Sequence, residues 1–171
     1  MDRRVAIKDI TDFRMSLMPF EEKEKTVNEE GFDVFFEDET WIMRYNDGES
    51  PITVDYFVNE LLSLRYYGIK NSYIENEYNN IFKKEIYIDD IPETLYPCPC
   101  CNYLTIEDKW DDEICPVCFW QDDGGYENNY SSANKMFLRD GKENYLKYGC
   151  MDIRFINNIE KNPDSKYEKL V

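Results

Sequence analysis

Histidine is absent from the 171 residues. That absence excludes Ser-His-Asp triads, Cys-His dyads, His-ligated metals and histidine acid–base chemistry. An enzyme built on this chain would have to work with carboxylates, Lys, Tyr or Cys. Positive charge is scarce too: 20 Lys and Arg stand against 36 Asp and Glu, a formal net charge of −16. Such a chain repels phosphates, which argues against nucleic acid as a partner. Anionic membrane surfaces are disfavoured for the same reason. The partner expected from charge is a basic protein. Long apolar runs are missing as well, and none approaches the roughly 20 residues needed to span a bilayer. The N-terminal MDRRVAIKDITDF interrupts its apolar residues with charges, so it lacks a signal-peptide core. The expected compartment is the cytoplasm. Thiols there are kept reduced, and clustered cysteines read as metal ligands rather than disulfides.

What is present argues for folded structure. Hydrophobic residues make up 42% and aromatics 16%, too much for a disordered chain. Ala6, Ile10, Phe13 and Leu17 recur at helical spacing, with Pro19 as the stop. Residues 21–39 hold nine acids against two lysines, a local net of −7. The aromatics Phe32, Phe35, Phe36 and Trp41 lie within or beside that stretch, which predicts that it is anchored rather than a solvated tail. Asn46-Asp47-Gly48 marks a turn. A second helix is predicted over about residues 53–67, with Gly68 as its C-terminal cap. Asn71 is placed to cap a third, which carries Ile74, Tyr78, Ile81 and Phe82. Residues 85–88 read as a short strand or extended linker.

Beyond about residue 92 the pattern changes, and cysteines, prolines and short β-like runs replace helical periodicity. The expected organisation is an α+β chain. Residues 1–92 form a mostly helical acidic region and 93–156 a four-cysteine zinc ribbon followed by a helix over about 137–148. Residues 157–171 form a loose or surface-bound tail.

The chemistry-bearing stretch is CPCCNYLTIEDKWDDEICPVCFWQDDGG. Cys98 with Cys101, and Cys115 with Cys118, each make a C-x-x-C, and 13 residues separate the pairs. Two such turns can bring four thiolates to the corners of a tetrahedron around one structural zinc. The residue after each second cysteine tends to need φ > 0. Asn102 tolerates that and Phe119 does so less easily, so the two knuckles are expected to be unequal. The intervening residues predict a hairpin in which 103–106 run out and Glu113-Ile114 return. Two redox C-x-x-C pairs are the weaker alternative, since neither lies in a βαβ unit. A catalytic zinc is disfavoured, because four thiolates leave no position for water. Cys100 reads as a small side chain beside the metal, with an alternative ligand or redox thiol as the sharper option. Cys150 reads as a buried small hydrophobe.

These motifs carry a resemblance. Cys98-Pro-Cys-Cys101-Asn-Tyr-Leu-Thr-Ile, Glu113-Ile-Cys-Pro-Val-Cys-Phe-Trp-Gln-Asp-Asp-Gly124 and Glu143-Asn-Tyr-Leu-Lys-Tyr-Gly149 resemble the cysteine-rich CPCC family of small zinc-ribbon-like bacterial proteins, over about residues 96–156. The family pattern has Gly where this chain has Asn102 and Glu where it has Gln121. The run Tyr67-Gly-Ile-Lys-Asn71 is similar to leaders on some members. The resemblance implies no established chemistry. Some members resemble accessory or immunity proteins near bacterial toxin genes.

Residues 107–127 hold eight acids against Lys109, again a local net of −7. Asp111, Asp112, Asp122 and Asp123 are candidate contacts for a basic partner, with Phe35, Phe36 and Trp41 as apolar anchors. The plainer reading is a solvated ribbon tip. Phe119 and Trp120 are expected to cover the ribbon and dock it on the helical part. The expected function is a nonenzymatic acidic zinc protein, most concretely an immunity-type inhibitor of a bacterial toxin such as a nuclease. A zinc-ribbon adaptor in a transcription-related or other assembly is the alternative. A carboxylate-dependent enzyme stands third, because nothing in the spacing singles out a catalytic pair.

Overall fold

The computed structural model describes residues 1–35, 51–125 and 127–170, and the side chains of these apart from 30–35 and 51–53. Among the described residues are six α-helices and two small antiparallel sheets, an α+β arrangement with a helical N-terminal part. None of these helices is long and apolar enough to cross a membrane. The Asn46-Asp47-Gly48 turn lies outside the described residues. The chain divides into two compact units, residues 1–67 with 74–90 and residues 68–73 with 91–171.

The first unit is built from helices. Helix α1 spans Arg3–Ser16, α2 Phe20–Phe35, α3 Pro51–Leu64 and α4 Asn71–Phe82, the last starting in the second unit. Asp2 caps α1, its carboxylate accepting from the backbone N–H of Arg4 at 2.8 Å and of Val5 at 3.2 Å. That satisfies two of the orphan donors of the first turn. Ala6 and Ile10 are buried as their spacing predicts, whereas Phe13 and Leu17 are exposed. Phe13 instead sets its edge against Phe82, 5.8 Å between ring centres. Helix α2 arises in the acidic stretch, which periodicity did not mark as helical. Its Val27 joins Phe57, Val58 and Leu62 of α3 in one buried cluster. Residues 84–89 are extended linker rather than strand, and Ile88 there is buried, its N–H donating to Glu75 Oε1 at 2.7 Å.

The second unit has little regular structure. Strand β1 (Tyr96–Pro97) pairs antiparallel with β2 (Leu104–Ile106), and β3 (Tyr130–Ser131) with β4 (Met136–Phe137). Helix α5 (Leu138–Tyr148) follows and ends at Gly149, whose φ of +78° allows its N–H to reach Tyr145 O. The hairpins differ from the one expected between the cysteine pairs. One ladder and one isolated bridge close around the knuckles instead. The β1–β2 ladder straddles Cys98–Cys101, and an Ile114–Gln121 bridge straddles Cys115–Cys118.

The C-terminal segment is tied down. It contains a short helix α6 (Pro163–Lys166), and Tyr103 bridges Lys169 antiparallel. Leu104 N–H donates to Glu168 O at 2.8 Å and Leu170 N–H to Asn102 O at 3.0 Å. Tyr167 is buried.

Candidate metal centre

The two knuckles are built alike. In the first, Cys98 N–H donates to Tyr103 O at 2.8 Å and Asn102 N–H returns to Cys98 O at 3.0 Å. In the second, Cys115 N–H donates to Trp120 O and Phe119 N–H to Cys115 O, both at 2.8 Å. Asn102 takes φ +65° and Phe119 φ +67°. The expected inequality is therefore corrected: Phe119 adopts the left-handed conformation despite its bulk. The physical reason is tertiary. Its ring stacks on Phe155 with centroids 4.4 Å apart and planes 23° off parallel. A pair of that kind contributes about 0.5–1.5 kcal/mol beyond burial, comparable to the 1–2 kcal/mol of the left-handed penalty.

These turns bring the four predicted thiols together. Cys98, Cys101, Cys115 and Cys118 are buried and their sulfurs all lie within 4.8 Å of one another. Cys98 Sγ to Cys118 Sγ and Cys101 Sγ to Cys115 Sγ are each 3.6 Å. A tetrahedron with metal–sulfur bonds of about 2.3 Å has sulfur–sulfur edges of about 3.8 Å. The cluster can thus hold one metal ion, and its all-sulfur chemistry and size are consistent with zinc.

Electrostatics point the same way. Burial, with hydrogen bonds among the thiols, pushes Cys98 well up from its ordinary value. Hydrogen bonds from Cys115 and Cys118 push Cys101 up. Burial raises Cys118 as well, reinforced by a hydrogen bond with Cys100. Burial opposes ionisation of Cys115, but hydrogen bonds from the other three thiols and Thr105 bring it well below the ordinary range. Thr105 Oγ1 lies 3.1 Å from Cys115 Sγ. One thiolate is favoured in this pocket and four are not, unless a cation joins them.

The surroundings fix the cluster. Trp120 is fully buried and packs on α5 at Gly141, where a β-carbon would stand 2.7 Å from the indole Cζ3. The indole therefore docks the ribbon on the helix that follows it. Met151 N–H donates to Cys118 O at 2.7 Å and Glu160 N–H to Pro116 O at 2.8 Å, tying the second knuckle to the C-terminal segment. Cys100 is buried beside this set, with Gly141 next to its sulfur. Cys150 is buried, its thiol 3.1 Å from Asp152 O and raised mainly by burial.

The four candidate acidic contacts separate. Asp111 and Asp112 are exposed. Asp122 is only 5% exposed and accepts from Trp110 N–H at 3.1 Å. Asp123 is half-buried and accepts from the Ser131 hydroxyl at 2.6 Å. Asp122 and Asp123 serve the loop itself, because Ser131 also accepts from Asn134, whose amide holds Gln121 O at 2.8 Å. Phe35 ends α2, while Phe36 and Trp41 lie outside the described residues. The aromatic that sequence reasoning passed over is Trp110, 68% exposed in the loop between β2 and the second knuckle. The signal available was an indole between two acidic runs, in a segment too short to bury it.

Residues 96–166, about two fifths of the chain, match the family model described as Cysteine-rich CPCC. No curated protein and no solved structure matches the chain.

Proposed function

We propose that this chain, with its CPCC-family segment over residues 96–166, is a nonenzymatic cytoplasmic protein that uses one structural zinc to shape an acidic surface for a basic protein partner. The observation that carries the reading is the closed set of four buried sulfurs. Cys98, Cys101, Cys115 and Cys118 would take all four positions of a bound zinc, leaving none for water or substrate, so that the ion would serve the fold rather than catalysis. The remaining resource is charge, −16 over the chain, which favours encounter with cationic surfaces. The most concrete version is an immunity-type inhibitor that covers the basic active surface of a bacterial toxin, a nuclease being the natural case.

Two measurements test this. Elemental analysis of protein purified without added metal is expected to give one zinc per chain. A stoichiometric iron content with visible charge-transfer bands would replace the structural role by an electron-transfer one. Capture from the native host, followed by growth rescue against the captured protein expressed alone, is expected to identify a basic toxin. Capture of transcription machinery with no rescue would favour the adaptor reading instead.

A further inference from the structure

Trp110 sits where a small domain could have hidden it and did not. It lies in the loop that joins β2 to the second knuckle, and its side chain is held against Gly124, where a β-carbon would stand 3.3 Å from Trp110 Cβ, Cγ and Cδ1. The rest faces solvent. The loop is fixed rather than loose. Glu113 accepts from Glu107 N–H at 2.8 Å and Asp108 N–H at 2.7 Å, and Asp122 holds Trp110 N–H. Trp110 and Asp112 both take positive φ, +67° and +62°, conformations that cost energy in residues with a β-carbon. Further along, Ile114 is half exposed. Glu107, Asp108, Asp111 and Asp112 flank Trp110 in the sequence and are all exposed. The one cation of the loop, Lys109, is turned over the Tyr96 ring, 4.4 Å from its centroid.

We propose that this loop is the docking element for the basic partner, with Trp110 as its anchor and an arginine of the partner as the group it receives. The inference rests on the basic-partner reading above and names the surface and the recognised side chain. An exposed indole attracts a guanidinium through the ring quadrupole, Trp being the strongest of the aromatics in this respect. Carboxylates on either side of it supply bidentate acceptors, which suit arginine's planar fork better than lysine's point charge. Tryptophan and arginine are also the side chains that dominate interface energetics. The complementary charge excludes phosphate-bearing occupants.

The test uses the full chain, metal-loaded, and hexa-arginine and hexalysine peptides as probes in isothermal titration at 50 mM and 300 mM salt. W110A is expected to weaken hexa-arginine binding at least tenfold and W110F about threefold. The parent should prefer hexa-arginine over hexalysine, and W110A should abolish that preference. Changing the loop acids together (E107Q, D108N, D111N and D112N) should also cost tenfold at 50 mM salt. A control carrying E21Q, E24Q, E85Q and E143Q, all at exposed positions, should cost less than twofold. One equivalent of metal in every variant shows that each still folds. If W110A binds like the parent and the control loses as much as the loop variant, attraction is spread over the surface. The docking assignment is then wrong while the basic-partner reading stands. If neither peptide binds the parent at 50 mM salt, both are wrong.

Discussion

Among the described residues of 1–67 with 74–90 the interior is Ala6, Ile10, Val58 and their neighbours, carried on helices of up to 16 residues. Among the described residues of 68–73 with 91–171 the longest strand has three residues, and six buried thiols share the interior with Trp120 and Ile106. The first unit removes apolar surface from water along helix faces, the ordinary source of stability. In the second, two- and three-residue strands cannot supply enough ladder or core. There a metal held by the four-cysteine cluster would replace much of what a larger core does. Difference in means predicts difference in failure.

The largest effect should come from the metal. Chelation, or Cys115→Ser, is expected to unfold the second unit and leave helices α1–α3 intact. Thiolate zinc sites in small peptides couple about 10–16 kcal/mol of binding to folding at pH 7. Limited proteolysis with mass spectrometry should then show cleavage between residues 91 and 171 while helices α1 and α3 stay protected. Equal loss in both units would break the comparison. Acid should act like a chelator. Cys98 and Cys101 hold their protons tightly without metal, so binding must displace protons and affinity falls as pH falls. Stability of the metal-loaded second unit therefore rises with pH across the range where metal and protons compete.

The complementary prediction concerns the first unit. Ile10 is fully buried in α1, and Ile10→Ala should cost about 2–5 kcal/mol through lost transfer energy and the cavity left behind. Denaturant unfolding followed by helical circular dichroism would detect it. The metal content should stay at its parental value. A variant that loses metal along with helix would show that the two units do not fail separately.

Gly141→Ala sharpens the contrast from the other side, with a smaller effect. The added methyl would meet Trp120 Cζ3 at 2.7 Å and Cε3 at 2.9 Å. A rigid buried indole cannot give way cheaply, so overpacking of about 1–3 kcal/mol is expected. A lowered thermal midpoint with a changed indole emission would report it. An unchanged midpoint would mean that α5 shifts freely on the ribbon, contrary to the close packing seen here.

Legibility in the sequence follows the range of the forces involved. The four-cysteine cluster was readable because a C-x-x-C turn places its sulfurs locally, and only the pairing of two turns is non-local. Helices α3 and α5 were readable for the same reason, although α3 ends at Leu64, short of the cap expected at Gly68, whose N–H donates to Glu93 instead. The tail was readable only as loose or surface-bound, since the Tyr103–Lys169 bridge joins residues 66 positions apart through backbone groups that leave no mark in a polar sequence. The hairpins were misplaced because two-residue strands show no period. Asp122 looked like any surface acid until Trp110 N–H was found on it.

The smallest prediction compares the two knuckles. Asn102 and Phe119 hold the same φ to within a few degrees, yet for different reasons: asparagine tolerates the left-handed region by itself, whereas Phe119 is kept there by Phe155. Asn102→Gly should therefore change stability by no more than about 0.5 kcal/mol in either direction, because local relief is offset by the greater freedom of glycine in the unfolded chain. Phe119→Gly relieves more strain but loses the stack. In the parent it should destabilise, and in a Phe155→Ala background it should become neutral or stabilising. The coupling between positions 119 and 155 is then about 0.5–1.5 kcal/mol. Asn102→Gly should add to Phe155→Ala within about 0.5 kcal/mol, as independent sites do. The cycle is measured by denaturant unfolding of metal-loaded protein. Simple additivity at Phe119 would mean that the stack contributes nothing, and that the metal-binding turn alone forces a bulky residue into the geometry asparagine adopts unaided.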